Sequence, residues 1–263
     1  MKAIVLCAGQ GKRLMPLTER APKCLLPVDG ERPILELQLD ALARCGVTRA
    51  SILVGFGAEH VESFLARKRF AGLETEALYN PFFAITDNLV TCWMARSAMT
   101  EDFLLLNGDT IFEPRVLEQL LESARPAITV TIDQKADGYD DDDMKVRLDG
   151  RRLLAIGKTL PPEQSHGESI GMLCFRGTGV RTFRDALERT IRRPDALRAW
   201  YLSVVNELAQ RVAIETANIH GLWWREVDGR EDLEEARASY LRLAPEIQTG
   251  EPRPAARRAA IAP

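Results

Sequence analysis

A glycine-rich segment near the amino terminus carries the residues best suited to chemistry. It follows an apolar, strand-like run at residues 1–7 and reads AGQGKR at residues 8–13. Glycines let backbone N–H groups approach phosphate oxygens closely, and the neighbouring basic side chains add positive charge. The segment is not a Walker loop, and Leu14 replaces the last glycine of a dinucleotide-binding fingerprint. Taken alone, it fits a solvated turn as well as a phosphate-binding loop.

Two acidic motifs are candidates for a metal site. Asp109 follows an apolar strand-like run at residues 103–106, and open α/β sheets bind ligands beyond the carboxyl ends of such strands. Glu226 and Asp228 alternate along another predicted strand, so they face the same side and can share a cation. The simpler alternatives are a turn aspartate at Asp109 and a helix cap at Asp228.

The string LCAGQGKRLMPLTERAPKCLLPV, residues 6–28, resembles the signature of the sugar-phosphate nucleotidyltransferase superfamily. The chain is similar in particular to phosphocholine cytidylyltransferase-like enzymes, which include phosphonate cytidylyltransferases, and the resemblance extends to about Arg237. It implies that the loop backbone binds a triphosphate. It also implies that Arg13 stabilises the pyrophosphate and that Lys23 bridges the α-phosphate and the incoming phosphate. Arg13, Lys23 and Asp109 are thus the predicted catalytic residues.

The resemblance further implies a Mg²⁺ cofactor held by Asp109 and Asp228, with Glu226 as a candidate third ligand. Mg²⁺ needs few protein carboxylates, because phosphate oxygens and water complete its octahedron. Thr86 and Asn88 belong to a segment that resembles the T-x-N stretch lying against the nucleobase in these enzymes, although both also suit a helix cap. The predicted nucleotide-binding residues are Leu6, Ala8, Gly9, Gly11, Lys12, Thr86, Asn88 and Gly108.

The acceptor is predicted to bind against the second half of the chain. By resemblance, Lys158 contacts the acceptor phosphate and Glu168 and Ser169 lie beside it; solvated strand ends are the alternative. The chain has Gly-Lys-Thr at residues 157–159, where sugar-1-phosphate enzymes usually have Glu-Lys-Pro, which weakens a sugar interpretation. An acidic run at residues 140–143 is typical of a solvated loop. Five aromatic residues are either core or part of a pocket for a quaternary ammonium; they are Trp93, Trp200, Tyr201, Trp223 and Trp224.

Alternating strand and helix patterns must position these residues. The pattern predicts an α/β fold, a Rossmann-like three-layer sandwich with a mixed, mostly parallel sheet and a small β-hairpin and helical acceptor-binding region. Strands are expected at residues 1–7, 51–56, 74–80, 103–106, 127–132, 145–148, 153–157, 169–175, 212–216 and 222–227. Helices are expected at residues 33–45, 59–68, 88–99, 114–123, 182–191, 197–210 and 230–242. Asp149-Gly150 predicts the hairpin turn.

These patterns predict one nucleotidyltransferase domain at residues 1–247. Residues 1–135 would form its nucleotide-binding half and residues 136–247 its acceptor-binding half, followed by a flexible tail at 248–263. The net charge of −3 and the absence of long apolar runs predict neither nucleic-acid nor membrane binding. The five cysteines form no C-x-x-C pair, and no signal peptide is evident, so we expect a cytoplasmic protein. A homo-oligomer remains open.

We therefore expect a Mg²⁺-dependent cytidylyltransferase that moves CMP from CTP to a small phosphate or phosphonate and releases pyrophosphate. Phosphocholine, 2-aminoethylphosphonate and phosphonoformate are candidate acceptors. One alternative is a sugar-1-phosphate nucleotidyltransferase that uses dTTP, UTP or GTP. Another is a non-catalytic nucleotide-binding regulatory subunit, against which the joint presence of Arg13, Lys23, Asp109 and Asp228 argues.

Overall fold

The computed structural model describes residues 1–124, 127–135 and 138–249, without the side chains of 244–249. The strands are β1 (Lys2–Cys7), β2 (Pro27–Asp29), β3 (Arg32–Pro33), β4 (Arg49–Val54), β5 (Glu74–Tyr79), β6 (Phe103–Asn107), β7 (Thr110–Phe112), β8 (Ile128–Asp133), β9 (Lys145–Asp149), β10 (Arg152–Ile156), β11 (Gly167–Phe175), β12 (Glu215–Asn218) and β13 (Trp224–Glu226). The helices are α1 (Ile34–Arg44), α2 (Ala58–Arg67), α3 (Asn88–Met94), α4 (Pro114–Ser123), α5 (Thr178–Thr190), α6 (Tyr201–Ala209) and α7 (Arg230–Thr249).

The central sheet has nine strands in the order β5-β4-β1-β6-β11-β8-β12-β10-β9. The first four are parallel, β11 runs antiparallel to both β6 and β8, and β12 is parallel to β8. The β9–β10 hairpin extends the far edge, and β9 also pairs with β11. The predicted mixed, mostly parallel α/β sheet is confirmed. In the hairpin, Asp149 pairs with Arg152, so the turn is formed by Gly150 (φ 58°) and the residue after it rather than by Asp149-Gly150.

The two faces of the sheet bury separate apolar layers. Ala3 and Val5 pack into a cluster with α1, α2 and α4, whereas Ile4 faces a cluster that includes α3, α5 and α6. This alternation follows from the period-two geometry of a strand that is covered on both sides. A third cluster joins α7 to α1 and to the segment after β1 through Leu14 and Leu233. It anchors the carboxyl-terminal helix against the glycine-rich segment.

Several element ends differ from the prediction. Helix α3 stops at Met94 and tightens into a 3₁₀ turn, and α6 begins only at Tyr201 because Ala199 and Trp200 are extended. Strand β12 lies later than the predicted 212–216, since its pairing with β8 fixes its position. Helix α7 reaches Thr249 and so includes the start of the predicted tail; the rest of that tail lies outside the described residues. Within the described ranges, no helix is both long and apolar enough to cross a membrane.

Candidate active site

The ends of β1 and β6 bring the glycine-rich loop beside Asp109. The two strands are parallel neighbours, with Leu6 paired to Asn107. Gly108 then donates its N–H to the Leu6 carbonyl at 3.0 Å. A Cβ on Gly108 would lie 2.6 Å from the Cys7 sulfur, so this close approach requires glycine. The turn therefore delivers Asp109 directly to the loop that follows β1.

The loop itself is fixed by two short contacts. Gly11 adopts a left-handed backbone (φ 71°), and its carbonyl accepts a 2.8 Å hydrogen bond from the hydroxyl of fully buried Thr18. A Cβ on Gly11 would approach Lys23 Cβ to 3.0 Å, so the glycine lets the loop pack against the lysine stem. The loop borders a cavity of about 190 Å³ lined by Leu6, Cys7, Gly9, Gly11, Lys23, Cys24, Asn88, Asn107, Gly108 and Asp109. Ala8 is buried beside it, and Lys12 is exposed.

Lys23 joins the two predicted metal ligands. Its Nζ donates to Asp109 Oδ2 at 2.8 Å and to Asp228 Oδ1 at 2.7 Å. Burial alone would lower the pKa of Lys23, but the charges of the two carboxylates outweigh it and raise the pKa above its ordinary value. The ammonium is therefore fully charged at neutral pH. A cation between two carboxylates marks a position where positive charge is strongly stabilised.

Asp109, Glu226 and Asp228 form an acidic trio. Each offers one carboxylate oxygen, and these oxygens lie within 4.8 Å of one another. Asp109 Oδ1 is buried and has no hydrogen-bond partner among the described residues. Partial desolvation, together with the charges of Asp109 and Asp228, raises the pKa of Glu226. An unpartnered hard oxygen among crowded carboxylates suits the donor chemistry of Mg²⁺.

Arg13 closes the same cluster from the solvent side. Its guanidinium donates to Asp228 Oδ2 at 2.7 Å and lies 3.7 Å from Asp142. Burial would raise the pKa of Asp228, but Lys23, Arg13 and Lys158 outweigh it and lower the pKa. The predicted catalytic residues Arg13, Lys23 and Asp109 thus meet in one place.

Asn88 and Thr86 have different surroundings. Asn88 borders the loop cavity, and its Oδ1 accepts the backbone N–H of Tyr201 at 3.0 Å. The Thr86 hydroxyl donates to the Phe82 carbonyl at 2.8 Å and so closes a local turn. Asp87 occupies the N-cap position of α3, and no side chain caps that helix. Neither side chain caps α3, but Asn88 accepts the first N–H of α6; of the two residues, only Asn88 is seen to border the cavity.

A second cavity of about 330 Å³ continues from the acidic trio toward the predicted acceptor half. It shares Arg13, Glu226 and Asp228 with the catalytic cluster. Its further lining consists of Lys135, Asp142, Asp143, Glu168, Trp224, Arg225 and Asp232. The two cavities adjoin at the 2.7 Å contact between Lys23, which lines the first, and Asp228, which lines the second; we refer to them together as the catalytic cleft.

The three predicted acceptor residues are placed unequally around the catalytic cleft. Glu168 lines it directly. Lys158 lies at its rim, with Nζ 5.0 Å from the ring centre of Trp200 and 3.7 Å from Asp142. Ser169 is buried, and its hydroxyl accepts the N–H of Gly171 at 3.4 Å, which indicates a structural role.

The aromatic set does not act as one group. Tyr201 is buried and its hydroxyl donates to Asn107 at 3.1 Å, while Trp223 packs edge-on against Tyr240. Trp93 lies under the guanidinium of Arg96, partly buried against the core. Trp224 lines the second cavity, where its indole N–H donates to Asp133 at 2.9 Å, and the exposed Trp200 lies beside Lys158. An aromatic box around a quaternary ammonium is therefore not formed by these residues.

The acidic run at residues 140–143 is largely exposed, but its backbone is held in place by a buried lysine. Lys145 is buried, and its ammonium donates to the carbonyls of Asp140 at 2.7 Å and Asp141 at 3.1 Å. Asp143 pairs with Lys135 at 3.0 Å. Asp140, Asp141 and Asp142 are exposed, as expected of a solvated loop. Lys145 nevertheless orders the backbone of the loop, and Asp142 and Asp143 line the second cavity.

Two positioning residues were missed in the sequence. Gln38 is buried, and its amide donates to the carbonyls of Asn107 and Thr110 at 2.7 and 2.8 Å, so it holds the turn that carries Asp109. Asp232 accepts the N–H groups of Asp228 and Gly229 at 2.9 and 2.6 Å. Gln38 could have been recognised from the sequence, because it is a polar residue on the apolar face of the predicted helix at residues 33–45.

Comparison with known proteins places this site in a family. A model of the MobA-like NTP transferase domain matches residues 3–211. The chain belongs to the MobA-like NTP transferase family, which confirms the resemblance carried by the loop and acidic motifs. The solved inositol-1-phosphate CTP transferase from T. maritima has the same fold, with a TM-score of 0.77, 21% identity and coverage of 96% of this chain and 98% of that one.

Two proteins with similar sequences have names that include the product or the reaction. The CMP-5'-(3-aminopropyl)phosphonate synthase of Streptomyces rubellomurinus is 42% identical over 120 residues, covering 46% of this chain and 19% of that protein. The bifunctional IPC transferase and DIPP synthase of Aquifex aeolicus is 28% identical over 244 residues, covering 92% of this chain and 52% of that protein. The chain thus spans about a fifth and about half of the lengths of these relatives.

Proposed function

We propose that the protein is a Mg²⁺-dependent cytidylyltransferase that transfers CMP from CTP to a small phosphate or phosphonate acceptor. The observation that carries the proposal is the convergence of the glycine-rich loop, Lys23 and the acidic trio in one cleft. Two of the similar proteins carry CMP or CTP in their names, and one of these is named as the synthase of a CMP-linked phosphonate. Both facts support CTP as the donor and a phosphorus oxyacid as the acceptor.

In the proposed reaction, an acceptor oxygen attacks the α-phosphorus of CTP in line. A bond forms between that oxygen and the α-phosphorus, the bond from the α-phosphorus to the bridging oxygen of the β-phosphate breaks, and pyrophosphate leaves. The attacking oxygen is already anionic, so no general base is required. The main task of the protein is to bring two anions together and offset their repulsion.

The cations of the cleft divide this task. Lys23 holds its ammonium where the α-phosphate and the acceptor oxygen would meet, and its raised pKa keeps it charged throughout. Arg13 lies at the open side, where it would stabilise the charge that develops on the leaving pyrophosphate. Lys158 stands at the acceptor end of the cleft, where it would orient the acceptor phosphate or phosphonate.

The metal would be held by Asp109 and Asp228, with Glu226 as the third carboxylate. When bound, Mg²⁺ supplies Lewis-acid stabilisation of the phosphate oxygens. Lys23 now bridges the same two aspartates, so binding of the nucleotide must redirect its ammonium from carboxylate to phosphate. Asp109 and Asp228 would then be free to hold the metal.

The proposal is tested by measuring pyrophosphate release with each of the four NTPs against a panel of phosphate and phosphonate acceptors, with and without Mg²⁺. We expect release with CTP and at least one small acceptor, and none after chelation of the metal. Turnover with a hexose-1-phosphate and an NTP other than CTP would contradict the cytidylyltransferase assignment. Tight CTP binding with no turnover on any acceptor would favour a regulatory subunit instead.

A further inference from the structure

Glu168 is a buried carboxylate at the acceptor end of the catalytic cleft. Its side chain is only 4% exposed. One oxygen, Oε2, receives the ammonium of Lys135 at 2.8 Å, whereas Oε1 is buried and has no hydrogen-bond partner among the described residues. A buried oxygen without a donor costs on the order of 1–3 kcal/mol, and more when it is charged. Such an oxygen is satisfied either by a proton held between Glu168 and Asp143 or by a donor on a bound ligand.

The charges around Glu168 are also unbalanced. Lys135 is shared, because it also pairs with Asp143 at 3.0 Å, so one ammonium faces two carboxylates. Burial, together with the neighbouring Asp143, raises the pKa of Glu168 to about 7, even though Lys135 acts in the opposite direction. One ammonium therefore serves two carboxyl groups that are in hydrogen-bond contact with each other, and both residues line the cleft.

The chemistry of the missing group follows from the unpartnered oxygen. A trimethylammonium carries positive charge but no N–H, so it would leave Oε1 of Glu168 without a hydrogen bond. A primary ammonium supplies both charge and donors, as Lys135 already does on the other side of the same carboxylate. The aromatic rings near this end, among the described residues, include Trp224, whose N–H is committed to Asp133, and Tyr139, whose pKa is raised by burial and by the charge of Glu168.

We propose that Glu168, with Asp143, forms a subsite for a primary ammonium group on the acceptor, and that it selects amino-bearing acceptors over trimethylated or amine-free ones. This inference rests on the proposed function, since it assigns one end of the acceptor in the same cleft. The phosphate or phosphonate end would then lie toward Lys23, Arg13 and Lys158, and the amino end toward Glu168.

The acceptor preference is tested with three matched compounds in the presence of CTP and Mg²⁺: 2-aminoethylphosphonate, its N-trimethyl derivative and ethylphosphonate. A charge-assisted hydrogen bond predicts a kcat/KM for the primary amine about tenfold to a hundredfold above those of the other two. Equal turnover of all three would overturn the subsite while leaving the cytidylyltransferase assignment intact. Absence of turnover with every acceptor would instead count against the proposed function.

An isosteric variant tests whether Glu168 is the residue that causes the preference for the primary amine. Glu168→Gln keeps the shape of the side chain but loses its charge, and we expect the ratio of kcat/KM between 2-aminoethylphosphonate and ethylphosphonate to fall toward one. Glu163→Gln makes the same chemical change at an exposed residue and should keep the wild-type ratio. A misfolded variant would lose both activities together, so an unchanged ratio in Glu168→Gln contradicts the proposal whatever the total activity.

Calorimetric titration separates binding from turnover. Wild-type protein with a non-hydrolysable CTP analogue and Mg²⁺ should bind 2-aminoethylphosphonate more tightly than ethylphosphonate, by about the same factor as the kinetic preference. Glu168→Gln should remove that difference in affinity. A preference that is present in wild type but persists in Glu168→Gln would place the ammonium elsewhere in the cleft and overturn the assignment, even for a protein that shows no turnover.

Discussion

Lys23 donates a 2.7 Å hydrogen bond to Asp228, although 205 positions separate the two residues in the chain. The contact joins the segment after the glycine-rich loop to the turn before α7, and the same ammonium reaches Asp109 at the end of β6. Three distant parts of the chain are thereby closed around one cluster of charge. The carboxyl-terminal part of the domain is therefore required to complete a site whose most recognisable motif lies at the amino terminus.

Asp109→Asn is expected to abolish the proposed Mg²⁺-dependent turnover. The change removes one negative charge from the acidic trio and replaces an unpartnered carboxylate oxygen, so metal affinity and transition-state charge stabilisation both fall. We expect kcat to drop by at least about a hundredfold. Initial rates with saturating CTP measure it, and circular dichroism checks that the fold is retained. Asp185→Asn, at an exposed carboxylate of α5, is the matched control, and wild-type rates in Asp109→Asn would remove this residue from the site.

Lys23→Met is expected to separate metal binding from catalysis. Lys23 occupies oxygens of Asp109 and Asp228 that Mg²⁺ would also use, so its removal leaves two uncompensated carboxylates. Mg²⁺ should bind the nucleotide-free variant at least about tenfold more tightly than wild type, because an ion pair at this distance contributes several kcal/mol. Turnover should fall, since the phosphates lose their ammonium. Calorimetry in the absence of nucleotide measures the affinity.

The control for the metal measurement is Lys68→Met. Lys68 lies at the end of α2 and pairs with Glu36 of α1, away from the acidic trio. This variant should leave Mg²⁺ affinity at the wild-type level. Weaker Mg²⁺ binding in Lys23→Met than in wild type would show that the lysine does not compete with the metal.

Gly108→Ala is expected to destabilise the fold. The added methyl group would lie 2.6 Å from the Cys7 sulfur and from the Leu6 carbonyl oxygen, between the two strands that carry the site. Overpacking of this kind costs about 1–3 kcal/mol in the free energy of unfolding. Gly157→Ala introduces a methyl group with no atom within 4 Å and serves as the control. Chemical denaturation compares the two, and equal stabilities would refute the steric argument.

Glu168→Gln is expected to make the ligand-free protein more stable at high pH. The pKa of Glu168 is raised from 4.5 to about 7, so the folded state binds this proton more tightly than the unfolded state does. The resulting stability is complete below pH 4.5 and is lost as pH rises to about 7. The uncharged variant escapes this loss, which amounts to on the order of 3 kcal/mol.

Thermal denaturation across pH 4–8 measures the effect. The melting temperatures of Glu168→Gln and wild type should converge toward pH 4.5 and diverge above pH 6, with the variant higher. Glu163→Gln, at an exposed position, should follow wild type throughout. A wild type that is more stable than Glu168→Gln at pH 8 would mean that the buried carboxylate is already satisfied in the empty cleft.

The sequence was most informative where its motifs resemble those of a known family. Arg13, Lys23, Asp109 and Asp228 could be predicted from that resemblance, and the structure brings all four together. Glu226 lies beside Asp228 as predicted, although β13 ends at Glu226 and Asp228 follows the strand. These residues lie at the ends of predicted strands or in the loops that follow them, so the predicted order of strands was enough to place them at one edge of the sheet.

Other features depend on tertiary contacts that local pattern does not contain. Whether Asn88 or Thr86 borders the cleft is decided by the start of α6, where the Tyr201 N–H meets Asn88. The order of the acidic loop depends on burial of Lys145, and the position of β12 depends on its pairing with β8. None of these contacts leaves a periodic signal in the local sequence.

The most direct test of the central claim follows the phosphorus atoms of CTP. The protein is incubated with Mg²⁺, 2-aminoethylphosphonate and CTP that carries a radioactive label either at the α- or at the γ-phosphorus. Cytidylyl transfer predicts that the α-label appears in a CMP–phosphonate product and the γ-label in pyrophosphate. A γ-label transferred to the acceptor, or CTP that stays intact with every acceptor of the panel, would contradict it.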